Sequence, residues 1–145
     1  MKKYFPFFVG VGIFLADFFS KKAAQNLKNP IAIFGDFFKI EFHQNSGIAF
    51  SMPVPMILQI LLSAIFLIAI GFWFLKKTKN FWEKMFLSAI FFGALGNFAE
   101  RIFFGKVTDF LAVGNFPVFN FADVAIFSGV LGIFFAEFFQ KNSPK

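Results

Sequence analysis

Three observations predict an all-α integral membrane protein with four transmembrane helices, both termini cytoplasmic, a small extracytoplasmic β element and an interfacial segment before the fourth helix. First, the 145-residue chain is 58% hydrophobic and only 15% charged, with a mean hydropathy of +0.71 and 30 phenylalanines. A soluble domain of this length has too little interior to hide so much apolar surface, so lipid is the expected solvent. Second, four apolar runs approach the roughly 20 helical residues that cross about 30 Å of hydrocarbon. Third, the basic residues are gathered beside alternate ends of those runs.

In chain order, the first run is Tyr4 to Phe19, preceded by Lys2 and Lys3. A basic start and an apolar core also open a secretory signal peptide. Against that reading, no clean small-x-small site follows Ala16, and Asp17 is followed by Phe18 and Phe19. The next connection contains FFKIEFHQNSGIAF, where Phe38, Ile40 and Phe42 alternate with Lys39, Glu41 and His43, the period of a short strand, before a glycine turn at Gly47. The second run, Met56 to Leu75, is broken only by Gln59, Ser63 and Gly71; the third, Trp82 to Phe98, carries Glu83 and Lys84 at its start. Phe103 to Phe119, with Gly105, Gly114 and Pro117, is too broken to span and is expected along the interface. The fourth run, Phe121 to Phe139, holds Asp123 and Glu137. One membrane-embedded domain over 1–145 results, with helices at roughly 4–19, 54–75, 82–101 and 121–139 and a β-containing periplasmic loop at roughly 22–53. No internal repeat, low-complexity linker or second domain interrupts it.

Short loops rich in Lys and Arg stay cytoplasmic. Lys2 and Lys3, then Lys76, Lys77, Lys79 and Lys84, then Lys141 and Lys145 fall in three short stretches, while the other basic residues are spread over two longer connections. Both termini and the middle loop therefore read as cytoplasmic. The net charge of +6 is accounted for by this asymmetry and by anionic phospholipid head groups, and it gives no support to a nucleic-acid partner.

With that parity, every polar cluster of interest falls at the outer ends of the helices. Asp17 and Lys21 are four apart on one helical face, with the acid on the favourable side. Asn97 and Arg101 are also four apart, and Asn120 and Asp123 three apart. Packing four helices together would bring these ends within reach of one another.

The residue inventory narrows the chemistry. The chain has no cysteine and one histidine, so thiol nucleophiles, disulfides and thiolate or imidazole metal sites are not expected. His43 reads as a surface residue of the strand. No G-x-S-x-G turn is present, and Ser20 and Lys21, as helical neighbours, point about 100° apart. Asp109 and Asp123 remain, and paired carboxyls suffice for hydrolysis: one activates water while a protonated partner polarises the carbonyl and protonates the leaving amine. Two carboxyls held together where water is scarce share a proton, because both cannot ionise cheaply. Spacing alone leaves a plainer alternative open, in which Asp109 is a solvated loop acid and Asp123 complements the dipole of a helix N-terminus.

Read in order, DFFSK (Asp17 to Lys21), NSGIAF (Asn45 to Phe50), GNFAER (Gly96 to Arg101), VTDF (Val107 to Phe110) and FNFADVAI (Phe119 to Ile126) resemble the successive signature boxes of lipoprotein signal peptidase, or signal peptidase II. The resemblance covers most of the chain, in the right order. It implies a bacterial inner-membrane aspartyl endopeptidase, without metal or other cofactor, that removes the signal peptide from diacylglyceryl-modified prolipoproteins just before the lipidated cysteine. By motif position it implies Asp109 and Asp123 as the catalytic pair. Asp17, Lys21, Asn45, Gly47, Asn97, Glu100, Arg101 and Asn120 would form the supporting polar shell. The implied partners are the lipidated substrate and membrane phospholipids, with the enzyme a monomer. Two positions depart from the family pattern: Phe18 stands where Gln is usual, and Glu100 where Asp is usual. A lipidated substrate would arrive laterally through an apolar groove, although most phenylalanines are expected to face lipid or fill the core.

Two other classes compete. A non-enzymatic four-helix membrane protein or small ion or proton pathway could present an outward polar cluster. Such a pathway needs ionisable groups through the membrane depth, and the second run has none. Intramembrane proteases with a G-x-G-D box are another class, but FGDFF at Phe34 to Phe38 lacks the first glycine.

Overall fold

In the computed structural model the described residues are 4–47, 54–76 and 80–142, with the side chains of Lys76 and 139–142 not described. Of the lysines from which the orientation was read, Lys2, Lys3, Lys77, Lys79 and Lys145 lie outside what is described, as do Ile48 to Phe50 of the expected strand stretch. The chain forms α1 (Phe5–Gln25), β1 (Ile31–Phe34), β2 (Phe38–Asn45), α2 (Met56–Lys76), α3 (Phe81–Phe104), β3 (Val107–Val113) and α4 (Phe121–Asn142).

Helix α3 is the hub of the bundle, packing against α1, α2 and α4, while α1 also meets α4. Leu87 and Ile90 of α3 and Ile70 of α2 form a buried cluster, flanked by Trp73, Phe74, Phe91 and Ile133. The start of α3 is specified locally. The side chain of Asn80 accepts from the Trp82 amide at 2.9 Å, and Glu83 in the first turn accepts from Trp73 Nε1 of α2 at 2.8 Å. Its end is fixed by Gly105, whose φ of 68° turns the chain out of the helix in a conformation that a side chain disfavours.

Three helices, Met56–Leu75, Phe81–Phe104 and Phe121–Phe138, are long and apolar enough to cross a membrane. Helix α1 falls short of that measure, with Asp17, Lys21 and Lys22 in its second half. It also runs six residues beyond the expected end at Phe19. Continuation is favoured because Asp17 and Lys21 pair across one turn instead of ending the apolar run in water. Apolar residues such as Phe8, Ile65, Ile68, Phe127 and Phe134 cover the outside of the bundle. Among the described phenylalanines Phe110 alone is in the buried core, and the others are half-buried or exposed.

The β structure is larger than the single strand expected. Strands β1 and β2 form an antiparallel hairpin and β3 adds to β2, giving the order β1-β2-β3. The stretch 103–119, expected as an irregular interfacial segment, thus contributes a full strand. Alternation in β2 is also interrupted, by a register shift between Ile40 and His43. Phe38 and Ile40 reach the cluster of Ala24, Phe110 and Leu111, while Phe42, inside the irregular stretch, is exposed. Gly35 turns the hairpin, leaving the adjacent Asp36 exposed and paired with Lys39 at 2.9 Å.

Candidate functional site: a buried polar cluster around two aspartates

Five elements, α1, β2, α3, β3 and α4, deliver polar side chains to one place. On α1, Asp17 and Lys21 are almost fully buried, at 2% and 3% exposed. Lys21 Nζ meets Asp17 Oδ2 at 2.7 Å, Glu100 Oε2 at 3.0 Å and Asn97 Oδ1 at 2.7 Å. All three of its N–H donors are thereby spent, so none is left without an acceptor in this buried place. The other oxygen of Asp17 accepts from the Ala122 amide at the start of α4, at 2.9 Å. Gly96 makes room for the oxygen that Lys21 holds: a Cβ there would lie 2.9 Å from Asp17 Oδ2.

Helix α3 carries the next layer. Asn97 takes Lys21 on its oxygen and donates from Nδ2 to Asp123 Oδ1 at 2.8 Å. Glu100 accepts from the backbone amide of Thr108 at 3.0 Å, tying α3 to the residue before Asp109. The Glu100 carboxylate is therefore held by Lys21 and by a strand amide, and its extra methylene is accommodated in that bridge.

Asn120 sits immediately before α4 and holds both aspartates. Its Oδ1 accepts from the Asp123 amide at 3.0 Å, and its own amide donates to Asp123 Oδ2 at 3.2 Å, a reciprocal cap of the helix start. Its Nδ2 donates to Asp109 Oδ1 at 2.6 Å, with longer contacts of 3.3 Å to Asn97 Oδ1 and 3.4 Å to the Thr108 carbonyl. Asp109 Oδ2 accepts from Asn45 Nδ2 at 3.0 Å, and Asn45 Oδ1 accepts from the Gly47 amide at 2.9 Å. Asp109 is 2% exposed. Burial pushes its carboxyl up to about 6, with the charge of Asp123 adding to the rise and Asn45, Asn120 and Lys21 opposing it.

All ten site residues expected from the sequence therefore lie in or beside one cluster. Arg101 stands at its margin: its Nε donates to Gln59 Oε1 at 3.1 Å, and its guanidinium interacts electrostatically with Asp123, Asp109 and Glu100. Two expected non-participants stay outside. His43 is exposed on β2, in register with Asp109 across the strand pair. Ser20 Oγ donates to the Asp17 carbonyl at 2.9 Å, so it forms no couple with Lys21.

With this geometry in place, comparison with known sequences is decisive. The sequence model of signal peptidase (SPase) II matches residues 9–139. This chain belongs to the signal peptidase II family. The lipoprotein signal peptidase of Wigglesworthia glossinidia brevipalpis is 37% identical over 132 residues, covering 83% of this chain and 86% of its own. That of Staphylococcus haemolyticus (strain JCSC1435) is 30% identical over 156 residues, covering 99% of both. A bacterial membrane enzyme solved by the in meso method at 2.3 Å superposes with a TM-score of 0.90 at 28% identity, covering 97% of this chain and 91% of that one. A second, solved at 1.9 Å, gives 0.82 at 31% identity.

As a signal peptidase II, the protein is a membrane peptidase, and its site includes residues that the sequence did not single out. Thr108 links Glu100 through its amide to Gln25 Nε2 through its hydroxyl, at 2.9 Å. Gln59, 3% exposed, contacts Arg101 and two backbone carbonyls. The sole amide side chain in an otherwise apolar run was the available signal for Gln59; nothing in the spacing marked Thr108.

Proposed function

We propose that the protein is an aspartyl endopeptidase that cuts diacylglyceryl-modified prolipoproteins just before the lipidated cysteine, with Asp109 and Asp123 activating water. The observation that carries this reading is Asn120, which binds both carboxyls at once, at 2.6 Å to Asp109 and through a reciprocal cap to Asp123. A pair held in common, with Asp109 buried and inclined to keep a proton, enters the reaction with one acid and one base. The ionised carboxyl takes a proton from water as the oxygen attacks the scissile carbonyl. The protonated carboxyl hydrogen-bonds that carbonyl and then supplies a proton to the leaving amine, and the pair titrates as a unit.

The remaining polar groups would preorganise this pair. Asn97 and Asn120 present donors to Asp123, Asn45 and Asn120 to Asp109, and Lys21 holds Asn97 in the orientation that aims its Nδ2 at Asp123. No step draws on a metal or other cofactor.

Membrane placement belongs to the same reading. Helix α1 would be the fourth span, both termini would be cytoplasmic, and the site would lie near the outer face of the bacterial inner membrane. A lipidated peptide would enter laterally between apolar helices of a single domain, working as a monomer among phospholipids. The names of the relatives, lipoprotein signal peptidases, support the substrate class. The test is to incubate the purified protein in detergent with a prolipoprotein carrying or lacking the diacylglyceryl group, and to find the new N-terminus by mass spectrometry. Cleavage of the modified form alone, directly before the cysteine, is expected; equal cutting of both forms, or a cut elsewhere, contradicts the assignment.

A further inference from the structure

Gln59 lies in the first turns of α2, at the end of the bundle that carries the site, and it is 3% exposed within an apolar helix. An amide in such a place is costly unless its hydrogen bonds are made. Here three of the four that a glutamine can make are present. Nε2 donates to the Ser46 carbonyl at 2.9 Å and to the Val54 carbonyl at 2.7 Å, and Oε1 accepts from Arg101 Nε at 3.1 Å.

The destinations of these bonds matter more than their number. Ser46 follows Asn45, the donor to Asp109 Oδ2, and precedes Gly47, whose amide holds Asn45 Oδ1. Fixing the Ser46 carbonyl against α2 therefore fixes the backbone from which Asn45 reaches Asp109. On its other side the same amide binds Nε of Arg101, whose guanidinium interacts with both aspartates. Using Nε as the anchor restrains the plane of the guanidinium. Packing alone would be served as well by leucine, which stands beside this position at Leu58, Leu61 and Leu62.

We propose that Gln59 is a positioning residue for the aspartate pair, acting through Asn45 on one side and Arg101 on the other. This rests on the aspartyl peptidase reading above. It predicts that Gln59 governs turnover and the protonation of the site without touching substrate.

The test compares full-length wild type with Gln59→Met, which conserves volume and removes all three bonds, and Gln59→Glu, which keeps an acceptor for Arg101 and loses both donors. Cleavage of the lipidated prolipoprotein is measured as kcat and KM, alongside thermal unfolding in detergent as a function of pH. In folded Gln59→Met, kcat is expected to fall about tenfold or more while KM moves by less than about threefold. Gln59→Glu should retain part of the lost turnover. The pH midpoint of the stability change belonging to Asp109 is expected to rise by about half a unit or more, because a carboxylate deprived of donors holds its proton more tightly. Asp123, Lys21 and Arg101 are the other charged groups interacting with the pair, and all three are unchanged in the variants.

A merely structural glutamine predicts a different pattern, with lower thermal stability but wild-type kcat and midpoint in the folded fraction. That pattern overturns the proposal. If Gln59→Met does not fold, Gln59→Leu, which likewise removes all three bonds and adds no charge, carries the same comparison. If wild type itself fails to cleave, the peptidase reading falls, and the midpoint then decides alone whether Gln59 positions the pair.

Discussion

Asp109 shows how the site turns an expense into a property. A carboxyl at 2% exposure is held up to about 6 from an ordinary 3.8, so between those values the native protein keeps a proton that the unfolded chain has released. Stability must therefore fall as pH rises through that window and level off above it, by about 3 kcal/mol for a shift of about two units. Thermal unfolding in detergent between pH 4 and 7 should show this decline, and Asp109→Asn should flatten it; an unchanged slope would mean that Asp109 is ionised in the folded state throughout. The two aspartates were legible in the sequence because acids among phenylalanines have few reasons to be there. Gln59 was not, because its partner Arg101 lies 42 positions away and no local spacing connects them.

The start of α4 is where an element and the site become one object. Its reciprocal cap joins Asn120 to Asp123, so the hydrogen bonds that begin the helix also orient a carboxyl, while Asn120 Nδ2 reaches Asp109. Asn120→Ala should cost about 1 kcal/mol as a lost cap and reduce cleavage far more than that loss of stability explains. Comparable small losses in melting temperature and in turnover would reduce Asn120 to a cap alone. The three-residue spacing from Asn120 to Asp123 and the four-residue spacing from Asp17 to Lys21 could be read directly, since helical geometry puts such pairs on one face. Strand β3 could not. Val107 to Leu111 is buried without alternation, because α1 and α3 pack against the strand and Phe119 covers its free edge through a bridge to Leu111. A strand buried on both faces, with Thr108 and Asp109 among its covered residues, shows no alternation to read. The end of α1 was misplaced for a related reason: hydropathy stops at Phe19, whereas the helix continues with Asp17 and Lys21 facing α3 and α4 instead of water.

At the scale of the whole molecule, the topology gathers residues from α1, β2, α3, β3 and α4 at one end of an apolar bundle, which agrees with a site near one membrane face. A cysteine introduced at the exposed Ser46 should be labelled by an impermeant reagent from the periplasmic side of intact cells. Labelling only after the cytoplasmic side is opened would invert the proposed orientation. Cleavage should also be insensitive to EDTA, since the carboxyl pair supplies both acid and base; a loss on chelation that zinc restores would contradict that division of labour. The central claim is that Asp109 and Asp123 act together on the lipidated substrate. The most direct test is cleavage of a diacylglyceryl-modified prolipoprotein by purified wild type, Asp109→Asn and Asp123→Asn, with folding of each verified by thermal unfolding. Wild-type cleavage with at least about a hundredfold loss in each variant is the expected result. Activity within a few-fold of wild type in either folded variant would remove that aspartate from the chemistry and the shared-proton mechanism with it.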